Sequence, residues 1–215
     1  MKTKWVLIIS ILLALVVLAV GLALEPRFPQ EMATHWNAEG IVDGYGSHFV
    51  GIWLLPIMIV SLTGLMLLIP SIDPRKENIA KFRKEYNLFI LFFAVFFTYL
   101  QLLTLAYNLG YPVNMITYLI PVFGIFIFFA GVLIGKAQPN YFIGIRTPWT
   151  LQDDRVWALT HKRGAVMFKI SGLITLLGLF LPGLGIWLLL VPIVISTVYV
   201  LIYSYVQYRK LHPQI

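Results

Sequence analysis

The feature that most constrains this chain is a series of long apolar stretches separated by short polar segments. A helix that crosses the ~30 Å hydrocarbon core of a bilayer needs about 20 mainly apolar residues, because it rises about 1.5 Å per residue. The stretches predict six membrane-spanning helices: Trp5–Leu24, Phe49–Ile69, Leu88–Asn108, Met115–Gly135, Val166–Leu181 and Leu184–Val206. The fifth is the shortest, and a re-entrant hairpin formed by the last two stretches is an alternative.

The composition favours the same fold class. The chain is 60% hydrophobic and 12% charged, whereas ordinary soluble domains have about 25% charged residues. It contains no cysteine, which excludes disulfides and thiolate chemistry. The first apolar run is too long for a secretory signal, so we expect an uncleaved helix. The prediction is an all-α, multi-pass protein of a prokaryotic plasma membrane.

Lysine and arginine positions predict the orientation of the helices, since cytoplasmic loops are enriched in these residues. With six spans and both termini in the cytoplasm, fifteen of the sixteen basic residues lie inside, and only Arg27 lies outside. The inside set is Lys2, Lys4, Arg75, Lys76, Lys81, Arg83, Lys84, Lys136, Arg146, Arg155, Lys162, Arg163, Lys169, Arg209 and Lys210. Because these residues flank apolar segments, the net charge of +7 does not indicate direct binding of nucleic acid.

The predicted spans contain no acidic residue, and this argues against an ion-coupled transporter, which keeps costly charges at mid-membrane. The polar residues Thr98, Gln101, Thr104 and Asn108 in the third span are expected to form hydrogen bonds between helices. Gly131 and Gly135 form a GxxxG motif that suits close helix packing. We predict two units: residues 1–70, with two spans and an extracellular loop at 25–48, and residues 71–215, with four spans and a cytoplasmic motif at 140–164.

The extracellular loop is expected to be a short structured cap. Turn dipeptides occur at Asp43-Gly44 and Tyr45-Gly46, and Asn37 and Asp43 can close Asx turns. The candidate functional residues of this motif are His35, Trp36, Asn37, Asp43 and Tyr45. A metal site formed by Glu31, His35, Asp43 and His48 is an alternative, but their irregular spacing matches no metal motif. We therefore predict no metal and no cofactor.

The cytoplasmic segment reads NYFIGIRTPWTLQDDRVWALTHKRG. Thr150 suits a helix N-cap with Asp153 in the capping-box position, and Gly164 suits a C-cap, which predicts a short interfacial helix over Leu151–Arg163 before the fifth span. The candidate contact residues for a partner or lipid are Arg146, Thr147, Pro148, Trp149, Trp157 and His161.

A catalytic use of this segment is the alternative, with Asp154 and His161 as acid and base and Thr150 or Thr160 as nucleophile. The acid and base lie two helical turns apart, too far for a direct hydrogen bond, and no oxyanion-type glycine motif accompanies them. We therefore predict that the protein is not an enzyme.

Two sequence motifs resemble those of a known family. The run IGIRTPWTL at Ile143–Leu151, followed by Val156-Trp157 and Thr160-His161, resembles the signature of the SdpI-like family, the Sdp toxin immunity protein family. The run HWN…G…DGYGS at His35–Ser47 resembles the N-terminal domain of unknown function that accompanies this signature.

This resemblance implies a membrane protein that protects its cell from a secreted, membrane-depolarising peptide toxin. It also implies signalling, in which an ArsR-like transcriptional repressor is held at the cytoplasmic face while the toxin meets the extracellular loop. The alternative function is a lipid- or small-solute-handling membrane protein that uses Arg146 at the inner leaflet.

Overall fold

A computed structural model describes residues 1–213, apart from the side chain of Pro182. Eight α-helices and one two-stranded sheet follow each other along the chain. They are α1 Thr3–Leu24, β1 Met32–Trp36, β2 Val42–Gly46, α2 His48–Ile72, α3 Lys76–Lys81, α4 Arg83–Asn108, α5 Met115–Lys136, α6 Pro148–Gln152, α7 Asp154–Leu176 and α8 Gly185–Leu211. Three 3-10 turns lie at Glu25–Arg27, Leu177–Leu179 and Pro182–Leu184. The last two residues of the predicted 71–215 unit lie outside the described part of the chain.

Within residues 1–213, five helices are long and apolar enough to cross a membrane: α1 with its following 3-10 turn, α2, α4, α5 and α8. These correspond to the first four and the last of the predicted spans. Helix α7 has a comparable length of 23 residues but carries Lys162, Arg163 and Lys169, which lower its hydropathy.

Helix α7 lies antiparallel to α5 along the whole of α5. The Trp157 indole donates a hydrogen bond to the carbonyl of Ala137 at one end. Gly172 meets Gly124 in the last turns of α7, and Gly178, in the 3-10 turn after α7, contacts Ile120 at the other end. The backbones approach so closely at Gly131 that a Cβ there would lie 2.8 Å from the backbone nitrogen of Lys169. The expected close packing at this glycine of the GxxxG motif is therefore confirmed.

The separate interfacial helix predicted at Leu151–Arg163 is wrong in both of its boundaries. The chain forms the short helix α6, is extended at Asp153, and then continues as one helix through Gly164 to Leu176. Asp153 caps α7 by accepting from the Arg155 backbone N–H at 2.7 Å. Gly164 lies inside this helix and does not end it. Its role is to leave space for the Ile145 side chain, since a Cβ at position 164 would lie 2.4 Å from the Ile145 Cδ1 atom.

The loop predicted to be extracellular departs from the all-α expectation, since it forms an antiparallel hairpin of β1 and β2. The turn uses Gly40 at φ +79°, a conformation that glycine adopts readily. Asn37 accepts hydrogen bonds from the backbone N–H groups of Glu39 and Ile41, which confirms its Asx-type role. The two predicted turn dipeptides, Asp43-Gly44 and Tyr45-Gly46, instead lie inside β2.

The helices pack in two groups of three. Helices α1, α2 and α4 contact one another, and α5, α7 and α8 form the second group. Between the groups, phenylalanine rings of α4 pack against rings of α5; the Phe96 and Phe123 centroids, for example, lie 5.2 Å apart. Each group buries its interior side chains, while many large apolar side chains on the outer helix surfaces stay exposed, as expected for surfaces that face lipid.

The polar residues of α4 divide into two kinds. Gln101 donates to the carbonyl of Gly51 on α2 at 2.8 Å, and Asn108 bonds the backbone of Ala33 in both directions. Gln101 therefore joins two helices, as predicted, whereas Asn108 joins α4 to the strand β1 and not to another helix. Thr98 and Thr104 instead bond carbonyls one turn back in their own helix, so the prediction is wrong for them.

The two ends of the described chain lie at the same face of the bundle. Asn87 near the start of α4 donates to the carbonyl of Met1, and His212 lies 3.5 Å from the Asp153 carboxylate. We call this end, with residues 1–4, 73–83, 137–153 and 209–213, the loop face. The opposite end, formed by residues 25–48 and the turns at 109–114 and 177–184, is the hairpin face.

Candidate functional site

The segment 137–153, which we call the platform loop, is held by buried side chains although it contains little regular structure. Asn140 is the centre of its first half and is 1% exposed. Its amide donates to the carbonyls of Gln138 and Ile143 and accepts from the N–H groups of Phe142 and Ile143. Since all four bonds are local, Asn140 fixes the path of the backbone before the Arg146-Thr147-Pro148 turn.

Asp73, between α2 and α3, and Asn78 of α3 anchor the platform loop to the first helix group. The buried Asp73 carboxylate accepts from the Tyr141 N–H at 2.9 Å and from the Arg75 N–H at 2.6 Å. Asn78 donates to the carbonyl of Pro139 at 2.8 Å. The platform loop is therefore tied to both helix groups, which a flexible linker would not be.

Thr147 and Thr150 form a reciprocal capping box at α6. The Thr150 N–H donates to the Thr147 hydroxyl at 3.1 Å, and the Thr147 N–H donates to the Thr150 hydroxyl at 2.8 Å. Both side chains are buried. The N-cap is thus Thr147 and not Thr150 as predicted, and Pro148 takes the first helical position, where its missing N–H costs nothing.

Trp157 and His161 form the buried support beneath the platform loop. Their rings stack with centroids 3.9 Å apart and an interplanar angle of 13°. In its neutral form His161 donates from Nδ1 to the Trp157 carbonyl at 2.9 Å and accepts at Nε2 from the Ile145 N–H at 3.0 Å. Burial lowers the pKa of His161 to about 4. His161 is therefore uncharged at neutral pH, and both ring nitrogens are used.

The contact between His161 and the platform loop requires a glycine. Gly144 has φ +117°, and a Cβ at this position would lie 2.4 Å from His161 Nε2. A larger residue at 144 would be strained by its backbone conformation and would displace the imidazole.

The predicted cytoplasmic site residues thus separate by exposure. Thr147, Trp157 and His161 are buried and support the loop, and Trp149 is half-buried against Tyr205 of α8 at a centroid distance of 5.1 Å. Arg146 and Pro148 are exposed. Arg146 donates one hydrogen bond, to the carbonyl of Tyr141 at 2.9 Å, so most of its guanidinium donors face solvent.

Two exposed aromatic residues were missed by the sequence analysis. Tyr141 and Phe142 are 45% and 38% exposed on the platform loop, next to Arg146. The signal was present, because large apolar side chains in a polar loop are common at contact surfaces. The exposed surface that could meet a partner consists of Tyr141, Phe142, Arg146 and Pro148.

The aspartates of the segment serve local pairing. Hydrogen bonds from the Arg155 side chain lower the pKa of Asp153 to about 2. Asp154 forms an ion pair with Arg75 at 2.7 Å. The catalytic alternative needed Asp154 and His161 to cooperate, but the structure gives each of them a different partner.

A basic groove lies beside the platform loop, between α5 and α7. It encloses about 750 Å³. Its wall includes Lys81, Lys136, Lys162 and Lys169, with Asp154 as the acidic residue among its lining side chains. Such a groove suits an anionic group, since four lysines line one space.

At the hairpin face, the candidate residues form two separate pairs. His35 Nδ1 bonds the Asp43 carboxylate across the hairpin. His48 bonds the Glu25 carboxylate at 3.3 Å and the Pro29 carbonyl at 2.8 Å. Among residues 1–213, no three His, Asp or Glu side chains converge as metal ligands would, so the alternative metal set does not assemble.

The hairpin is fixed on the bundle by its first strand. Asn108 bonds both the N–H and the carbonyl of Ala33, at 2.7 and 3.0 Å. Trp36 packs edge-on against Tyr107 at 5.2 Å. Tyr45 stays 63% exposed on the second strand. One surface of the hairpin is therefore exposed to solvent, while its other surface packs against the helices.

Comparisons with known proteins match both halves of this arrangement. The SdpI/YfhL protein family matches residues 136–204, which include the platform loop, α7 and most of α8. A domain of unknown function (DUF1648) matches residues 12–60, which include the hairpin. No solved structure matches the chain. Immunity protein SdpI of Bacillus subtilis (strain 168) is 31% identical over 211 residues, covering 95% of this chain and 97% of that protein. The chain therefore belongs to the SdpI family and is a multi-pass protein of the bacterial plasma membrane.

Proposed function

We propose that this protein is a non-catalytic immunity protein that protects its cell from a secreted, membrane-active peptide toxin. The observation that carries the proposal is the 31% identity to an immunity protein along 95% of the chain. The similarity includes both the hairpin and the platform loop, so it is not confined to the membrane helices, whose apolar composition alone produces weak likeness.

The geometry supports a division of labour between the two faces. The hairpin face presents His35, Asp43 and Tyr45 on a rigid two-stranded element, where an external peptide would arrive. The loop face presents Tyr141, Phe142, Arg146 and Pro148, where a cytosolic ArsR-like repressor would be sequestered. In this proposal Thr147, Trp149, Trp157 and His161 hold the contact surface and do not themselves touch the repressor.

Immunity is tested in a toxin-sensitive Bacillus subtilis strain without its own SdpI, challenged with the Sdp killing-factor peptide. Cells that express this protein should keep their membrane potential, measured with a potential-sensitive dye, as cells with the native SdpI do. Depolarisation equal to that of the empty-vector strain, with the protein present in the membrane fraction, would overturn the proposal for this toxin.

Repressor sequestration is tested separately with Arg146→Ala. Because Arg146 is exposed and has one local hydrogen bond, this change should leave folding intact while reducing the membrane-bound fraction of a fluorescent repressor. Lys84→Ala is the matched control, since it removes one exposed positive charge from the adjacent start of α4. Equal recruitment by both variants would contradict a role for Arg146.

The proposed topology has six crossings with both ends in the cytoplasm. The pairing of α7 with α5 supports it, because α5 is long and apolar enough to cross the membrane and α7 lies antiparallel beside it. The chain has no cysteine, so single variants can be labelled cleanly. An impermeant maleimide should label Tyr45→Cys and Gly183→Cys in intact cells, and Gln138→Cys only after permeabilisation. Gly183→Cys resisting the reagent in intact cells would contradict a sixth crossing.

The basic groove favours a second candidate function, the handling of an anionic lipid at the inner leaflet. Lys162 and Lys169 line the groove two helical turns apart on α7, which suits a phosphate headgroup held at the membrane boundary. A Lys162→Ala, Lys169→Ala double variant should co-purify with less anionic phospholipid than wild type. The control Arg27→Ala, which does not line the groove, should co-purify with as much as wild type. An unchanged lipid ratio in the double variant would contradict this candidate.

A further inference from the structure

A second cavity lies beneath the hairpin, between β1, α2, α4 and α5, and we call it the hairpin cavity. It encloses about 240 Å³. Most of its wall is apolar, with Leu54 and Leu55 from α2, Leu100 from α4, and Met115 and Leu119 from α5. The platform loop is at the other face of the bundle, so this space is independent of the cytoplasmic site.

Two residues that line the hairpin cavity, Trp36 and Gln101, each have a buried polar atom with no hydrogen-bond partner among residues 1–213. Gln101 is fully buried, and its Nε2 donates to the Gly51 carbonyl, but its Oε1 has no hydrogen-bond partner among residues 1–213. Trp36 also lines the cavity, and its buried indole N–H is likewise unpaired within that range. Native proteins rarely leave such groups unsatisfied, because each one costs free energy.

The two groups together define the chemistry of a ligand. Gln101 Oε1 needs a donor, and the Trp36 N–H needs an acceptor. A peptide amide supplies both, because it carries one N–H and one carbonyl. A lipid ester supplies only acceptors and would leave Gln101 Oε1 unpaired.

The size of the hairpin cavity argues against water as its natural occupant. A single water could satisfy one of the two groups, but the volume corresponds to about eight waters at ~30 Å³ each. The mostly apolar walls give the other waters few partners. For comparison, an engineered apolar cavity of ~150 Å³ stays dry and binds benzene.

We infer that the hairpin cavity binds an apolar side chain of an extracellular peptide together with the backbone amide next to it. The inference deepens the proposed function, on which the identity of the peptide as the toxin rests. The amide would accept from the Trp36 indole and donate to Gln101 Oε1, while a side chain the size of leucine would fill the space between α2 and α5. Trp36 would thus act from inside the hairpin, where a peptide enters between the strand and the helices.

Binding is tested directly on the purified full-length protein with two isosteric probes. N-(3-methylbutyl)acetamide carries the amide N–H, and 3-methylbutyl acetate has an oxygen in its place. The readout is the indole ¹⁵N–¹H resonance of Trp36, assigned by its loss in Trp36→Phe. The amide should shift this resonance and bind roughly tenfold more tightly than the ester, since the ester leaves Gln101 unpaired.

A filling variant links the cavity to protection. Leu119→Trp places a larger side chain in the cavity, while Tyr118→Trp makes a comparable change at the adjacent, exposed position, which does not line it. Leu119→Trp should abolish the amide-induced shift and reduce protection against the killing-factor peptide at least ~tenfold. Tyr118→Trp should behave as wild type in both assays.

The outcomes separate the two levels of inference. The cavity inference is overturned if the Trp36 resonance of the wild type does not respond to the amide, which would indicate that the cavity holds water only. It is also overturned if the ester produces an equal response, which would indicate that the cavity takes a lipid acyl chain. Protection by Leu119→Trp equal to that of wild type overturns the link to the toxin while the immunity function stands. Failure of the wild type to protect, with the amide shift intact, overturns immunity but leaves the amide site.

Discussion

Replacement of His161 by phenylalanine tests the support beneath the platform loop. The imidazole accepts from the Ile145 N–H and donates to the Trp157 carbonyl, and it is 3% exposed. Phenylalanine keeps the stacking on Trp157 but makes neither bond, so the Ile145 N–H loses its partner in a largely buried site. We expect a loss of about 1–3 kcal/mol in the free energy of unfolding at pH 7.5.

The same residue predicts a pH dependence. Burial lowers the pKa of His161 from 6.5 to about 4, so the unfolded chain binds a proton more readily than the native protein between these values. The stabilisation is fully present above pH 6.5 and is lost as the pH falls toward 4. At 1.36 kcal/mol per pKa unit, this change is about 3 kcal/mol. The stability difference between wild type and His161→Phe should therefore close between pH 6.5 and 4.

The assay is equilibrium unfolding in detergent micelles at several pH values, with amide hydrogen exchange of Ile145 as the local readout. His212→Phe is the matched control, because His212 also stacks on an aromatic ring four residues earlier and also bonds its carbonyl, but at the protein surface. This control should change stability by less than about 1 kcal/mol. A stability gap for His161→Phe that stays constant from pH 7.5 to 4, or an unchanged exchange rate at Ile145, would refute the reasoning.

Three further predictions concern other parts of the fold. Gly172→Ala should destabilise the protein by roughly 1–3 kcal/mol in unfolding titrations, since the new Cβ would lie 2.6 Å from the backbone of the neighbouring helix. The control Gly64→Ala should be neutral or stabilising, because a Cβ there meets nothing within 4 Å. Asn108→Ala should accelerate amide exchange throughout the hairpin, because both bonds to Ala33 are lost; protection equal to wild type would count against Asn108 as the anchor. Asp153→Asn should remove the loss of stability that wild type shows as the pH falls from about 4 toward 2, because the carboxylate with pKa about 2 is then absent; an identical acid profile would contradict this.

The membrane helices could be predicted from the sequence because the bilayer imposes a length that a run of apolar residues reveals directly. The start of α7 could not. Gly164 after Lys162 and Arg163 has the local form of a helix C-cap, and nothing near it in the sequence indicates otherwise. Its actual role depends on the Ile145 side chain, nineteen residues earlier, which occupies the space that a Cβ would need.

The candidate site shows the same limit. Sequence reasoning selected this segment because Arg146, Thr147, Pro148 and Trp149 are unusual in an apolar chain. It could not separate the exposed Arg146 from the buried Thr147, because the capping box that buries Thr147 forms with Thr150 only after the loop folds back. Likewise, the Asp43-Gly44 dipeptide suggested a turn, but Gly44 lies within β2, where a Cβ would come to 2.9 Å from that of His35.

The continuity of α7 has a mechanical consequence. A helix without a break from Asp154 to Leu176 is a rod about 33 Å long, and its close backbone contacts with α5 leave it no joint along its length. A tilt of only ~3° about one end would displace the other by about 1.7 Å over that length, a distance comparable to the helix shifts that accompany allosteric transitions. A rod of this kind does not bend, so motion at the hairpin face reaches the helix beneath the platform loop either as a displacement or as a tilt about that end.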